Sequence, residues 1–175
     1  ERPLFPALAD MGRQMYPRGP ADEGYLAGFF DTRPVQNLAG DTTPALADTK
    51  GIAFYPRDHH RTTGALNAHM GFAFRRLAIV DLSPAGHQPM CTPDGRYWII
   101  FNGEIYNAAE IRQVLVSRDI SFTGHSDTEV LLAAYQLWGA DALQRCNGMF
   151  ALAIWDNLEK TLFCARDRIG IKPFY

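Results

Sequence analysis

An α+β fold of layered sheets and helices is what this sequence predicts, and three observations predict it. A strand-and-turn texture begins at Met70, two helix-forming segments with capping signals follow, and a closing hairpin has nearly continuous apolar strands. Strands apolar on both faces need cover above and below, which places sheets between further layers.

Taken in order, the first segment sets Leu4, Leu8, Met11 and Met15 at spacings of four, three and four, one face of a helix that Pro17 stops. From about Phe29 to Asn67 the chain is rich in Asp, Thr, Pro and Gly, with one short strand candidate, Gly51 to Tyr55. The stretch 28–67 is therefore expected to be a long inserted surface loop, functional or mobile. Strands are predicted over Gly71 to Val80 and Tyr97 to Phe101, the second closed by Asn102-Gly103. Asn107 is placed to cap a helix from Ala108 to Arg118. Ser126-Asp127-Thr128-Glu129 has the form of a capping box for a helix ending near Gly139. Met149 to Trp155 and Thr161 to Arg166 then flank the polar turn of the final hairpin.

Composition narrows the function classes. At 175 residues with 47% hydrophobic and 21% charged residues, the chain suits one core, and residues 1–175 are expected to form a single domain. Its 17 basic and 19 acidic residues leave a formal charge of -2 with no run of five like charges, which excludes a nucleic-acid or anionic-membrane footprint. No stretch approaches the roughly 18 apolar residues of a membrane span. Glu1-Arg2-Pro3 lacks the layout of a secretory signal, so a cytoplasmic location is expected. Cys91, Cys146 and Cys164 are odd in number and lie 55 and 18 positions apart, matching neither a disulfide framework nor a metal knuckle. They are expected to be reduced, with Cys146 and Cys164 acting as small buried hydrophobes.

Four local features carry candidate chemistry. Arg75 and Arg76 are adjacent on a strand and must point to opposite faces, so one faces inward and needs an anion, either an internal acid or a ligand carboxylate. Asn102-Gly103-Glu104 follows an apolar strand and fits either an oxyanion hole or a tight hairpin turn. Asp127 stands at a helix N-terminus where Ser126 can do the capping, leaving its carboxylate for a cation or for the helix dipole alone. Ala165 to Gly170 reads as a charged turn fixed by an Arg-Asp pair. His59, His60, His69, His87 and His125 have no His or Cys partner at ligand spacing, so no metal is expected.

Taken together, RRLAIVDLS from Arg75, AGHQP from Ala85, FNGEIYN from Phe101, SDTEVL from Ser126, NGMF from Asn147 and ARDRIGIKPFY from Ala165 resemble the glutaminase domain of glutamine-hydrolysing asparagine synthetases, in order and in spacing. Arg18-Gly19-Pro20 with Asp22-Glu23-Gly24 adds that family's RGPxDEG segment, so the resemblance covers roughly residues 4 to 25 and 68 to 175. It implies the class II amidotransferase fold, a four-layer αββα sandwich of the N-terminal-nucleophile hydrolase type. It also implies hydrolysis of L-glutamine to glutamate and ammonia for ATP-dependent asparagine synthesis in a separate synthetase domain.

In that family an N-terminal cysteine attacks the amide. Here residue 1 is Glu, and the expectation is a fragment cut before the first strand and before the synthetase domain, inactive by itself. The resemblance further implies that Arg76 holds the substrate α-carboxylate, with Leu77, Ala78, Ile79 and Val80 lining the same edge. The Asn102 amide and the Gly103 N–H would form the oxyanion hole with Glu104 beside it, and Asp127 would take the α-ammonium. Phe74 and Pro17 stand where the family has His. The implied partners are L-glutamine, the protein's own synthetase domain and a possible second copy in a homodimer. No cofactor is expected in this domain, and ATP and Mg belong to the absent one. Two readings compete: a module that binds an amino acid or a partner and has lost its nucleophile, and an amidotransferase with another acceptor.

Overall fold

The structure is a computed structural model that describes residues 4–44, 49, 51–63, 66–77 and 81–175. The described chain divides into two compact units, Glu1–Pro89 and Met90–Tyr175. Each pairs an antiparallel or mixed four-stranded sheet with helices, which is the α+β class the sequence predicts.

The first unit opens with α1 (Leu4–Gln14), ended by a 3-10 turn at Tyr16–Arg18 that carries Pro17. Its sheet has the order β3-β2-β1-β4, from β1 (Asp22–Gly28), β2 (Gln36–Ala39), β3 (Asp58–His59) and β4 (Met70–Arg76). β1 is buried along its whole length between β2 and β4, and α1 packs mainly on β4. The core joins Phe5 and Ala9 of α1 to Tyr25, Ala27, Phe29 and Leu38 of the sheet region, with Leu8 and Ala73 against them.

Two expectations for this unit are corrected. The buried face of α1 is Phe5, Ala9 and Gly12, while Leu4, Met11 and Met15 are exposed, because a small-residue face lets the helix sit close to Tyr25. Within 28–67, Gly51 to Tyr55 is a turn, and the strands are β2 and β3, four and two residues long and too short to show a period. The strand predicted to reach Val80 stops at Arg76, and Ala78, Ile79 and Val80 lie outside the described residues.

The second unit has the sheet order β5-β6-β7-β8, from β5 (Met90–Cys91), β6 (Tyr97–Ile105), β7 (Gly148–Asp156) and β8 (Thr161–Arg166). The helices are α2 (Ala108–Val116), α3 (Asp127–Trp138) and the short α4 (Ala142–Arg145), with α3 on β6 and α2 on α3. Ser126 caps α3 as expected, its hydroxyl accepting from Glu129 N–H at 3.2 Å. The Glu129 carboxylate turns instead to the N–H groups of Thr123 and Gly124. Asn107 does not cap α2 with its side chain. It bridges to the other end of the fold's second half, donating to the Arg145 carbonyl at 2.9 Å and accepting from Asn147 N–H at 2.8 Å.

β7 is buried for most of its length, whereas β8 alternates exposed and half-buried residues, so only the first strand of the hairpin is covered on both faces. β8 lies at the sheet edge, which explains its exposure. Cys164 on β8 is accordingly exposed, contrary to the expectation of a buried hydrophobe, while Cys146 is buried as expected.

Candidate active site

In the first unit, the sequence motifs that looked separate are bonded to one another. β1 and β4 are in register so that Glu23 faces Arg75 and Asp22 faces Arg76. Arg75 is the inward cation with an internal partner. Its side chain is 5% exposed, it pairs with the buried Glu23 carboxylate, and it donates to the Gly12 carbonyl at 2.9 Å and the Thr42 hydroxyl at 3.0 Å. Asp22 is engaged by His87, whose Nδ1 lies 2.7 Å from Oδ2 in full burial.

That leaves Arg76. Its guanidinium donates to the Ser83 carbonyl at 2.9 Å and to the Asp81 carbonyl, and among the described residues no carboxylate lies at ion-pairing distance from it. Burial lowers its pKa, the negative charge of Asp22 and Asp81 only partly offsetting this. The 3-10 turn Pro84–Gly86 supplies the room. A Cβ at Gly86 would overlap Arg76 Nη2, so a larger residue where the AGHQP segment passes the guanidinium would make that side chain move. Leu77, the next residue, is exposed.

In the second unit, Asn102, Gly103 and Glu104 are not a turn. They lie inside β6, paired with Ala151, Phe150 and Met149 of β7. The Asn102 side chain is exposed. Gly103 has ordinary strand backbone, and its lack of a side chain is needed because a Cβ there would overlap the Met149 carbonyl of β7. The tight-turn alternative is therefore excluded, and a strand presents the Asn amide instead.

Asp127, the first residue of α3, is bonded back to the same strand, its Oδ2 accepting the Ile105 N–H at 3.0 Å. This draws the α3 N-terminus to a point two residues past Gly103. Burial raises the Asp127 pKa above the usual carboxylate range, and the nearby Glu104 charge adds to the rise against backbone N–H donors that lower it. Among the described residues Asp127 has no cationic partner at ion-pairing distance.

The turn at Asp167 also differs from its expected Arg-Asp pairing. The Asp167 carboxylate accepts from the backbone N–H groups of Phe150, Ile171 and Lys172 at 2.8–3.2 Å, and Arg168 reaches the carbonyls of Leu143 and Cys146 instead. None of the three thiols is poised as a nucleophile. Burial pushes Cys91 up to about 12 and Cys146 up to about 11, and Cys164 is raised by the same cause, so each is protonated at neutral pH.

Fold and family follow from comparison with known proteins. A solved glutamine phosphoribosylpyrophosphate amidotransferase from B. subtilis superposes with a TM-score of 0.69 over 99% of this chain and 36% of that one, at 19% identity, which shows the fold to be that of an amidotransferase. The family model described as a glutamine amidotransferase domain matches residues 56–175, and the chain belongs to that family. Among curated relatives, asparagine synthetase [glutamine-hydrolyzing] 1 of Bacillus subtilis is 50% identical over 107 residues, 61% of this chain and 17% of the relative. A putative asparagine synthetase [glutamine-hydrolyzing] of Mycobacterium bovis is 44% identical over 122 residues, 66% of this chain and 18% of the relative. The chain thus spans under a fifth of the length of these two relatives. No helix among the described residues is long and apolar enough to cross a membrane.

Proposed function

We propose that this chain binds L-glutamine and serves its hydrolysis to glutamate and ammonia, with the ammonia passed to a synthetase domain that makes asparagine. The acceptor rests on the activity for which the two relatives are named. ATP and magnesium would belong to that synthetase domain.

The observation that carries the reading is the family match over residues 56–175, and one partly buried charge in each unit suits it. A partly buried guanidinium with only carbonyl acceptors gains most from a carboxylate, and a partly buried carboxylate with only N–H donors gains most from an ammonium. In this reading Arg76 binds the α-carboxylate and Asp127 the α-ammonium. The Asn102 amide and the Gly103 N–H donate to the oxyanion that forms when the side-chain amide is attacked. Glu104, exposed on the same strand, stands beside them. The thiols of Cys91, Cys146 and Cys164 play no nucleophilic part, since each is held protonated.

The test is Asn102→Ala in the full-length protein. An oxyanion donor acts on the transition state, so glutamine kcat should fall by roughly 10²- to 10³-fold with little change in glutamine affinity. A variant that loses folding stability yet keeps its rate per folded molecule would reduce Asn102 to a strand residue and refute the assignment.

A further inference from the structure

We infer that Asp41, His59 and His60 form a binding site for a divalent transition-metal ion, zinc being the ion whose chemistry fits, in the first unit and apart from the residues assigned to glutamine. One ligand atom from each of the three residues lies within 4.8 Å of the other two. His59 Nε2 and Asp41 Oδ1 are already 3.3 Å apart. Ligands at about 2.0–2.2 Å from a tetrahedral ion stand a little over 3 Å apart, so small side-chain rotations close the set. Two imidazoles and one carboxylate are borderline-to-hard donors of the kind zinc takes, and the fourth position would be water.

The cluster is held in place from several sides. β2 and β3 pair in parallel with Ala39 opposite His59, which brings the chain just past β2 to β3. Asp41 is fixed through its backbone, whose N–H donates to the buried Glu23 carboxylate, and the next residue, Thr42, accepts from the buried Arg75. Arg61 holds Asp41 through Oδ2, leaving Oδ1 on the histidine side. His60 is packed against the rings of Tyr25 and Phe5, with centroids 5.0 and 6.4 Å away, and stacks on His59 at 4.8 Å.

Sequence alone does not reveal the set, because Asp41 lies eighteen residues before His59 and only the short parallel pairing joins them. In the metal-free state His59 Nδ1 accepts the Arg61 backbone N–H at 3.1 Å, so its Nε2 carries the proton toward Asp41. Capture of an ion at Nε2 moves that proton to Nδ1 and breaks the hydrogen bond from the Arg61 N–H. The ion would tie the chain after β2 to the two-residue strand β3, adding a cross-link to a region with little regular structure.

The experiment uses the full chain stripped with chelator. Zn²⁺ is titrated by calorimetry, Co²⁺ by its visible absorption, and thermal unfolding is followed with and without Zn²⁺. One equivalent should bind, the melting temperature should rise with Zn²⁺, and Co²⁺ should show bands of low coordination number. Asp41→Asn and His59→Ala should each weaken binding at least about tenfold. Both residues are partly exposed, so the metal-free melting temperature should hardly move, and His69→Ala serves as a control at a histidine outside the set. No binding, or binding that survives Asp41→Asn and His59→Ala unchanged, overturns the inference.

Discussion

Adjacent arginines on one strand meet different partners according to which face they occupy. Arg75 is enclosed with Glu23, a helix carbonyl and a threonine hydroxyl, and removing one partner of such a buried pair leaves the other charge uncompensated. Arg75→Ala should therefore destabilise the fold by about 3–5 kcal/mol, measured by denaturant unfolding, while Arg75→Met combined with Glu23→Leu should recover much of the loss. Arg76→Ala, which gives up bonds to carbonyls that loop water can replace, should cost far less. Equal losses for the two single variants would contradict the division. The sequence showed that two cations must face apart, since strand periodicity demands it. Which one found an internal acid was not legible, because Glu23 and Asp22 reach the pair only through strand register set fifty residues away. For the same reason the Asp22–His87 pair escaped notice, both members looking like isolated motif residues.

At the scale of elements, capped and long segments were the legible ones. Ser126 capping α3, the β7–β8 hairpin and the arrest of α1 by Pro17 all rest on local rules that few tertiary contacts override. β2 and β3 were not legible, being too short for a period, and neither was the buried face of α1, where Ala9 and Gly12 replace the larger residues a pattern search weighs. The end of β8 was misread in a useful way, since Asp167 stabilises the turn through backbone N–H groups rather than an arginine. The N–H of Lys172 leads those that hold the Asp167 carboxyl below its ordinary value, against the opposing effect of burial. A depressed carboxylate contributes stability above the unfolded-state value, near 4, and loses it as pH falls through the lower folded value. Asp167→Asn should thus be less stable than the native chain near pH 6, and the gap should narrow as pH falls below about 4. A gap independent of pH would show that the charge of Asp167 does not stabilise the turn.

For the whole molecule, the family was legible because seven short motifs recur in order, and a chemistry shared by a family keeps its charged and glycine positions in fixed spacing. The structure adds why those residues belong together within each unit. Gly86 makes room for Arg76, Gly103 lets β6 cross β7 closely, and Asp127 ties the α3 N-terminus to the strand that bears Asn102. The central proposal is that Asp127 takes the α-ammonium of glutamine, and one double cycle tests it directly. Affinities of glutamine and of glutaramate, which lacks the α-amine, are measured for the native full-length protein and for Asp127→Asn. Asparagine is the substitution of choice because it can still accept the Ile105 N–H while removing the charge. A charge-assisted hydrogen bond is worth about 1.5–3 kcal/mol, so Asp127→Asn should weaken glutamine binding at least about tenfold and glutaramate binding much less. Equal losses for the two ligands would mean that Asp127 does not hold the ammonium and serves only to join α3 to β6.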